Sequence, residues 1–278
     1  MTQSAASKPE TITAKVTVIG AGNMGGPVAK AFLASGLPGD DLTIVNSSTQ
    51  SSGRAAQELG ARAGERDQAV READVVVLGV KPHQIVDLAG EIAEQLQDDA
   101  IVISLAAGTT LAATEQALPD GQAVVRAMPN TPISVGEGAV GLMRGSAVTD
   151  EQYALVHALF AQAGVVEDIT EEQVHAFIGA AGSLSAFTFS LIEAMTDEAV
   201  RLGLKRDLAD RLVQQTVRGA ATMLMETGQH AAVAKNGVSS PGGTTVEGLA
   251  VMERLGVRPG IASAMQAAAE RSRQLTGD

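Results

Sequence analysis

Two patterns of apolar positions divide the chain. Over the first half, short β-branched runs alternate with stretches of helical period. Val16–Ile19, Leu42–Val45, Asp74–Val80, Ala100–Leu105 and Ala123–Met128 read as strands. Their apolar character is nearly continuous, which a strand covered on both faces of a parallel sheet requires. Pro27–Leu33, Gly53–Leu59, Asp67–Glu72, residues 84–96 and Leu111–Ala117 read as the intervening helices. From about Thr149 the strand signals fade to one last run at Val165–Asp168. Thr170-Glu-Glu-Gln173 is a capping box that opens a helical stretch through Leu202, poor in charge and rich in small residues from Gly179 to Ala186. A helix apolar on all sides is a buried one. Another helix starts at Arg206/Asp207, carries Leu208, Leu212, Val213, Thr216, Ala220 and Leu224 on one stripe, and stops at Gly228. A short helix and two more, at 246–255 and 258–275, complete the chain. The expected architecture is α/β: a polar flexible tail over 1–13, a doubly wound sheet over 14–169, and an all-α domain over 170–278.

The first strand runs into Gly20-Ala-Gly-Asn-Met-Gly25, the G-x-G-x-x-G spacing. In such a turn the first glycine permits the tight bend, the second lets a pyrophosphate approach the backbone, and the third lets helix and strand pack closely. The free N–H groups and dipole of the following helix then favour phosphate. The spacing alone is weak; strand before and helix after make it a Rossmann-type nucleotide-binding turn. About 20 residues on, an NAD-specific fold places a carboxylate on the ribose 2′-hydroxyl. Here Asn46-Ser-Ser-Thr49 is neutral, with Arg54 a turn further, so the 2′-phosphate of NADP meets no repulsion; Ser47 and Ser48 could equally cap the next helix. Three more strand ends carry loops of turn chemistry, at Val80-Lys-Pro82, Ala107-Gly108 and Met128-Pro-Asn130. Open α/β sheets bind ligands along that edge.

Composition narrows the function. The chain has 278 residues, 45% hydrophobic and 19% charged, which is globular and large enough for two cores. Aromatic residues are 2%, so the cores rest on Ala, Leu and Val. There is no cysteine, which excludes disulfides and thiolate chemistry. A net charge of −12 disfavours nucleic acid. No uninterrupted apolar run approaches the roughly 18 residues of a spanning helix, and the first 13 residues lack a signal peptide's apolar region, so a soluble cytoplasmic protein without a membrane partner is expected. His83, His157, His175 and His230 are scattered, and the acidic residues mark no carboxylate pair; no metal is expected.

Together these loops resemble pyrroline-5-carboxylate reductase, over nearly the whole chain. The resemblance rests on Gly20–Gly25, Val80-Lys-Pro82, Ser104-Leu-Ala-Ala-Gly108, Val125-Arg-Ala-Met-Pro-Asn-Thr-Pro132, Gly136-Glu-Gly138 and, most specifically, Ser240-Pro-Gly-Gly-Thr-Thr245. It implies a helical domain that interleaves with a second subunit, a homodimer often assembled into a larger ring. It also implies reduction of the cyclic imine 1-pyrroline-5-carboxylate to L-proline by NADPH, or by NADH. By resemblance Gly20, Gly22, Asn23, Met24, Gly25, Asn46, Ser47, Ser48, Val80, Lys81, Pro82, Ala107 and Gly108 hold the cofactor. Ser240, Gly242, Gly243, Thr244 and Thr245, with Met128 and Asn130, hold the substrate.

Residue chemistry is consistent with this. Free N–H groups at Gly242, Gly243 and Thr244 at a helix start suit a carboxylate, and the Thr245 hydroxyl suits a ring nitrogen as the catalytic group. The chain departs from the family where Leu184-Ser185 replace a Gly-Pro pair, where Ser47 replaces a frequent arginine, and where Arg66 replaces an asparagine near the adenosine. Two alternatives stay open: a related reductase, on another cyclic imine or of the β-hydroxyacid dehydrogenase type, and a non-catalytic NADP-sensing protein. Gly179–Met195 contains no lysine, against the dehydrogenase; the Ser240–Thr245 loop weighs against the sensor.

Overall fold

The structure is a computed structural model and describes residues 11–276. Val16–Ile19 forms β1, buried along its whole length. It pairs in parallel with β2 (Leu42–Val45) on one side and β4 (Val75–Leu78) on the other. Beyond β4 follow β5 (Ile101–Ser104) and β6 (Ala123–Pro129), also parallel, and β3 (Arg62–Ala63) flanks β2. The connecting helices are α1 (Gly25–Ala34), α2 (Thr49–Leu59), α3 (Arg66–Arg71), α4 (Ile85–Ile92) and α5 (Leu111–Glu115). Side chains alternate between two cores, as the period of a strand demands. On β4, Val75 and Val77 join Val28, Phe32 and Ile44 on one face; Val76 and Leu78 join Val70, Ile85 and Ile92 on the other. Covering on both faces is the physical cause of the continuous apolar runs.

Among the described residues the sheet has eight strands, in the order β3-β2-β1-β4-β5-β6 and then β7 (Gly138–Arg144) and β8 (Gly164–Asp168). Two strands go beyond the expectation, β3 and β7. β7 runs antiparallel to β6, and after α6 (Asp150–Phe160) the expected last strand, β8, pairs with β7. Gly138 and Gly141 hide β7 in the sequence, because glycine lowers strand propensity. Both sit where space is short: a Cβ on Gly138 meets the Ile133 backbone at 2.9 Å, and one on Gly141 meets Ile169 at 2.5 Å.

The described chain divides into two compact units, one running to Gly182 and resuming at Ala268, the other covering Ser183–Ala267. In the first, the segment after β8 packs on the sheet: Val174 in α7 (Val174–Phe177) shares a small core with Met128 and Met143. The His175 ring bonds the Ser272 hydroxyl at 2.8 Å in the last helix, α12 (Val257–Thr276). Residues 1–10 of the expected tail lie outside the described residues. Ile12 corrects that expectation: it is buried, and its N–H donates to the Gly36 carbonyl at 3.2 Å.

The expected long helix is broken. A π turn at Ile178–Gly182 separates α7 from α8 (Leu184–Arg201). The second unit continues with α9 (Arg206–Thr227), α10 (Ala231–Gly237) and α11 (Thr244–Arg254). Only Thr196 and Ala209 of this unit are buried. The expectation of a buried α8 therefore fails within a single chain: Phe189 is 58% exposed, and Leu212, on the α9 stripe, 49%. A second correction concerns length. Glu171–Arg201 holds an 18-residue window of mean hydropathy 1.4, of which 11% is buried. By length and composition this one segment of the described residues can cross a membrane, because its intervening Gly, Ala, Ser and Thr residues carry no charge.

Thr196 is one of those two buried residues, and its hydroxyl has no hydrogen-bond partner among the described residues. An unsatisfied buried donor costs about 1–3 kcal/mol. Thr196→Val removes it at nearly constant shape, so calorimetry should find the variant more stable by about 1 kcal/mol; a lower melting temperature contradicts the assignment.

Candidate active site

The sheet brings four loops to one edge, because β1, β2, β4 and β5 are parallel and each ends there. The connection reverses direction between β1 and β4, leaving a crevice at the strand ends. The glycine turn occupies it. Gly20 has φ +93°, and a Cβ on it meets the Gly79 backbone at 2.8 Å. A Cβ on Gly25 lies 2.2 Å from the Gly20 carbonyl oxygen, and one on Gly79 lies 2.5 Å from the same atom. Gly20, Gly25 and Gly79 are therefore demanded by the packing of β1, α1 and β4. Gly22 is different: a Cβ there meets nothing within 4 Å. The N–H groups of Gly22, Asn23 and Met24 donate to no described residue. An open cradle rimmed by unused N–H groups ahead of a helix fits a dinucleotide's pyrophosphate.

Beside it, the Asn46 side chain ties β2 to the turn. Its Oδ1 accepts from the Ala21 N–H at 2.8 Å, and its Nδ2 donates to the Ser51 carbonyl at 3.2 Å. The Ser48 hydroxyl caps α2, accepting from the Ser51 N–H at 3.2 Å. Ser47 stays exposed, and Arg54 is exposed without an ion pair among the described residues. No carboxylate enters this stretch, which fits a 2′-phosphate. Arg66 is held by Glu91 at 2.5 Å and Asp67 at 3.2 Å, which raise its pKa above the usual arginine value. On the other side of the turn, Val80, Lys81 and Pro82 lead from β4 towards α4, with Lys81 exposed.

The β5 loop is anchored by a residue to which the sequence pattern assigned no role. Arg126 of β6 is 1% exposed. Its guanidinium donates to the carbonyls of Ala106 (3.3 Å) and Ala107 (2.5 Å) and to Glu171 Oε1 (2.7 Å). The same Glu171 oxygen accepts from the Leu111 N–H at 2.8 Å. The sequence signal was an arginine inside an otherwise apolar strand.

Met128 is buried with Met143 and Val174. The Asn130 amide bridges protein backbone, accepting from the Ala139 N–H at 2.8 Å and donating to the Ala181 carbonyl at 3.2 Å. Both side chains are thus occupied by packing within the first unit. The Ser240–Thr245 loop belongs to the second unit. Gly242 has φ +69°, and the Gly243 N–H closes the turn on the Ser240 carbonyl at 2.9 Å. That corrects the expectation of a free N–H at Gly243; a four-residue turn uses it. The N–H groups of Gly242, Thr244 and Thr245 donate to no described residue, and the Thr245 side chain is exposed at the start of α11.

A Rossmann sheet with a phosphate cradle and no 2′-hydroxyl carboxylate, followed by a helical unit, defines an NADP-dependent oxidoreductase. The family models agree. Residues 15–108 match "NADP oxidoreductase coenzyme F420-dependent", and residues 171–275 match "Pyrroline-5-carboxylate reductase dimerisation". The chain is 37% identical to the pyrroline-5-carboxylate reductase of Escherichia coli, over 94% of this chain and 98% of the relative. It is 38% identical to that of Arabidopsis thaliana, over 94% and 95%. The structure of a Coxiella burnetii pyrroline-5-carboxylate reductase superposes with a TM-score of 0.87 at 35% identity, over 95% of this chain and 99% of that one. A Plasmodium falciparum pyrroline carboxylate reductase with NADP bound gives 0.86 at 25% identity, over 96% and 99%. The chain belongs to the pyrroline-5-carboxylate reductase family.

The glycine geometry separates packing from binding. Gly25→Ala should lower stability by at least about 2 kcal/mol, through a clash with rigid backbone. Gly22→Ala should stay within about 0.5 kcal/mol of the parent while raising the NADPH dissociation constant about tenfold. Denaturant melts with cofactor titrations check both; equal stability losses contradict the division of roles.

Proposed function

We propose that the chain reduces 1-pyrroline-5-carboxylate to L-proline with NADPH, as a cytoplasmic homodimer. The observation that carries this reading is full-length family membership combined with an open cradle at Gly22 and neutral residues at Asn46–Thr49. The cofactor domain is 14–169 and the helical domain 170–278. The N–H groups of Gly22, Asn23 and Met24 take the pyrophosphate, Ser47 and Ser48 leave room for the 2′-phosphate, and Val80–Pro82 and Ala107-Gly108 complete the cofactor edge. Bound NADPH supplies a hydride to the imine carbon.

The chain's own work is orientation. The unused N–H groups of Gly242 and Thr244, at the positive end of α11, suit the substrate carboxylate. The Thr245 hydroxyl suits the ring nitrogen. Hydride addition to a protonated imine gives a neutral amine, so no residue has to act as a strong acid. Positioning and preorganised dipoles carry the effect. Met128 and Asn130 contribute by holding residues 171–182.

The dimer follows from burial. A unit with two buried residues has no core of its own, and exposed patches of this size mark an interface. We assign the apolar Glu171–Arg201 segment to that interface rather than to a bilayer, in keeping with the dimerisation model it matches. A ring of dimers is the higher assembly compatible with this reading.

The direct test is oxidation of NADPH and NADH with pyrroline-5-carboxylate and a panel of cyclic imines. NADPH should give the higher kcat/KM, and a preference for another imine overturns the substrate. Thr245→Val removes one donor, worth about 1–3 kcal/mol or roughly 5- to 150-fold in kcat, with NADPH affinity unchanged. An unaltered kcat assigns Thr245 to helix packing alone. Light scattering should find no folded, active monomer at micromolar concentration, and Tm should rise with protein concentration; a Tm independent of concentration contradicts the shared core.

A further inference from the structure

Arg126 is buried to 1% exposure in the centre of the first unit. A charge so placed is costly unless its hydrogen bonds are filled, and an aliphatic residue would pack this strand at least as well. Its three bonds all serve one short loop. Two go to the carbonyls of Ala106 and Ala107, and the third goes to Glu171, whose carboxylate takes the Leu111 N–H at the loop's far end. The loop between β5 and α5 is held from both ends.

Peptide geometry sets the consequence. In a trans peptide the carbonyl of one residue and the N–H of the next point in opposite directions. Drawing the Ala106 and Ala107 carbonyls inward turns the N–H groups of Ala107 and Gly108 away from Arg126. Neither N–H donates to any described residue. Ala107 is exposed and Gly108 half-buried, and a Cβ built on Gly108 meets nothing nearer than an ordinary contact with the Leu275 carbonyl at 4.0 Å. Strand order says what they face. The glycine turn stands at the end of β1, β2 lies on one side of it, and β4 and β5 lie on the other. A dinucleotide with its pyrophosphate on the turn and its adenosine at β2 extends its nicotinamide half towards β5.

We propose that Arg126 is a positioning residue for the cofactor, orienting the β5 loop so that the Ala107 and Gly108 N–H groups donate to the nicotinamide half of NADPH. The assignment rests on the reading of these strand ends as the NADP site. Lysine cannot replace the arginine, because a single ammonium does not reproduce the planar fork that reaches two carbonyls and a carboxylate together.

Calorimetric titration of wild type and Arg126→Lys with NADPH and with 2′,5′-ADP, which carries only the adenosine half, tests the assignment. Arg126→Lys should weaken NADPH by about tenfold or more and leave 2′,5′-ADP unchanged. KM for NADPH should rise while KM for the imine holds. Unchanged NADPH affinity in the folded variant overturns the proposal, and so does an equal loss for both ligands, which marks general loosening. Glu171→Gln, which keeps Arg126 but removes its counter-charge, carries the same comparison if the lysine variant does not fold. Wild type failing to bind either ligand overturns the NADP reading itself, and is distinguishable because it precedes any substitution.

Discussion

The close approach of three backbone segments at Gly20, Gly25 and Gly79 is the constraint on which the first unit depends. Any side chain at these positions meets main-chain atoms at 2.2–2.8 Å. Only their absence lets α1 start directly against β1 and lets β4 run alongside both. That contact aims the first turn of α1 over the strand ends, with Gly22 facing open space and three N–H groups unused. Asn46 extends the arrangement to β2 by accepting the Ala21 N–H. The cradle is thus a by-product of close packing, stiffened by one amide.

Arg126 plays the corresponding part on the other side of the turn, by electrostatics in place of contact. Two carbonyls and a carboxylate gather on one guanidinium buried in the interior of the first unit, and charge-assisted bonds are the strong ones. The second unit stands in contrast, with no such interior. Its apolar residues are real, but within one chain they face outward. A sequence selected to bury helices against another subunit looks, by hydropathy alone, much like one selected for lipid. The small residues of Gly179–Ala186 fit either, and charge-free composition cannot separate them.

Much of this was legible in the sequence, where local chemistry decides structure. β-branched runs gave β1, β2, β4, β5 and β6, because strands covered on both faces must be apolar throughout. G-x-G-x-x-G marked the turn, and Thr170–Gln173 marked a helix start. β7 was not legible, since Gly138 and Gly141 answer to neighbours outside the strand: Ile133, Ala163 and Ile169. The free N–H expected at Gly243 was lost to a turn whose closure depends on φ +69° at Gly242. Arg126 was visible as an anomaly, a charge inside a strand, but its partners are 19, 20 and 45 residues away. The family resemblance supplied residue roles that spacing alone leaves open.

The break before α8 changes how the departure at Leu184-Ser185 is understood. A Gly-Pro pair, which the family resemblance implies at this place, would give a kink an evident local cause, and its replacement leads one to expect a straight helix here. The helix is interrupted all the same, at Ile178–Gly182. The Asn130 amide donates to the Ala181 carbonyl inside that turn, supplying the partner that a π turn denies one of its carbonyls. Gly179, Ala180, Ala181 and Gly182 leave the backbone free to adopt it. The interruption is therefore held from outside the helix, by a residue of the β6–β7 connection, and does not need proline. What Leu184 and Ser185 alter is side-chain shape: a half-buried branched leucine and a restored N–H, immediately after the turn. Any change they make in substrate choice acts through those atoms and leaves the path of the chain as it is.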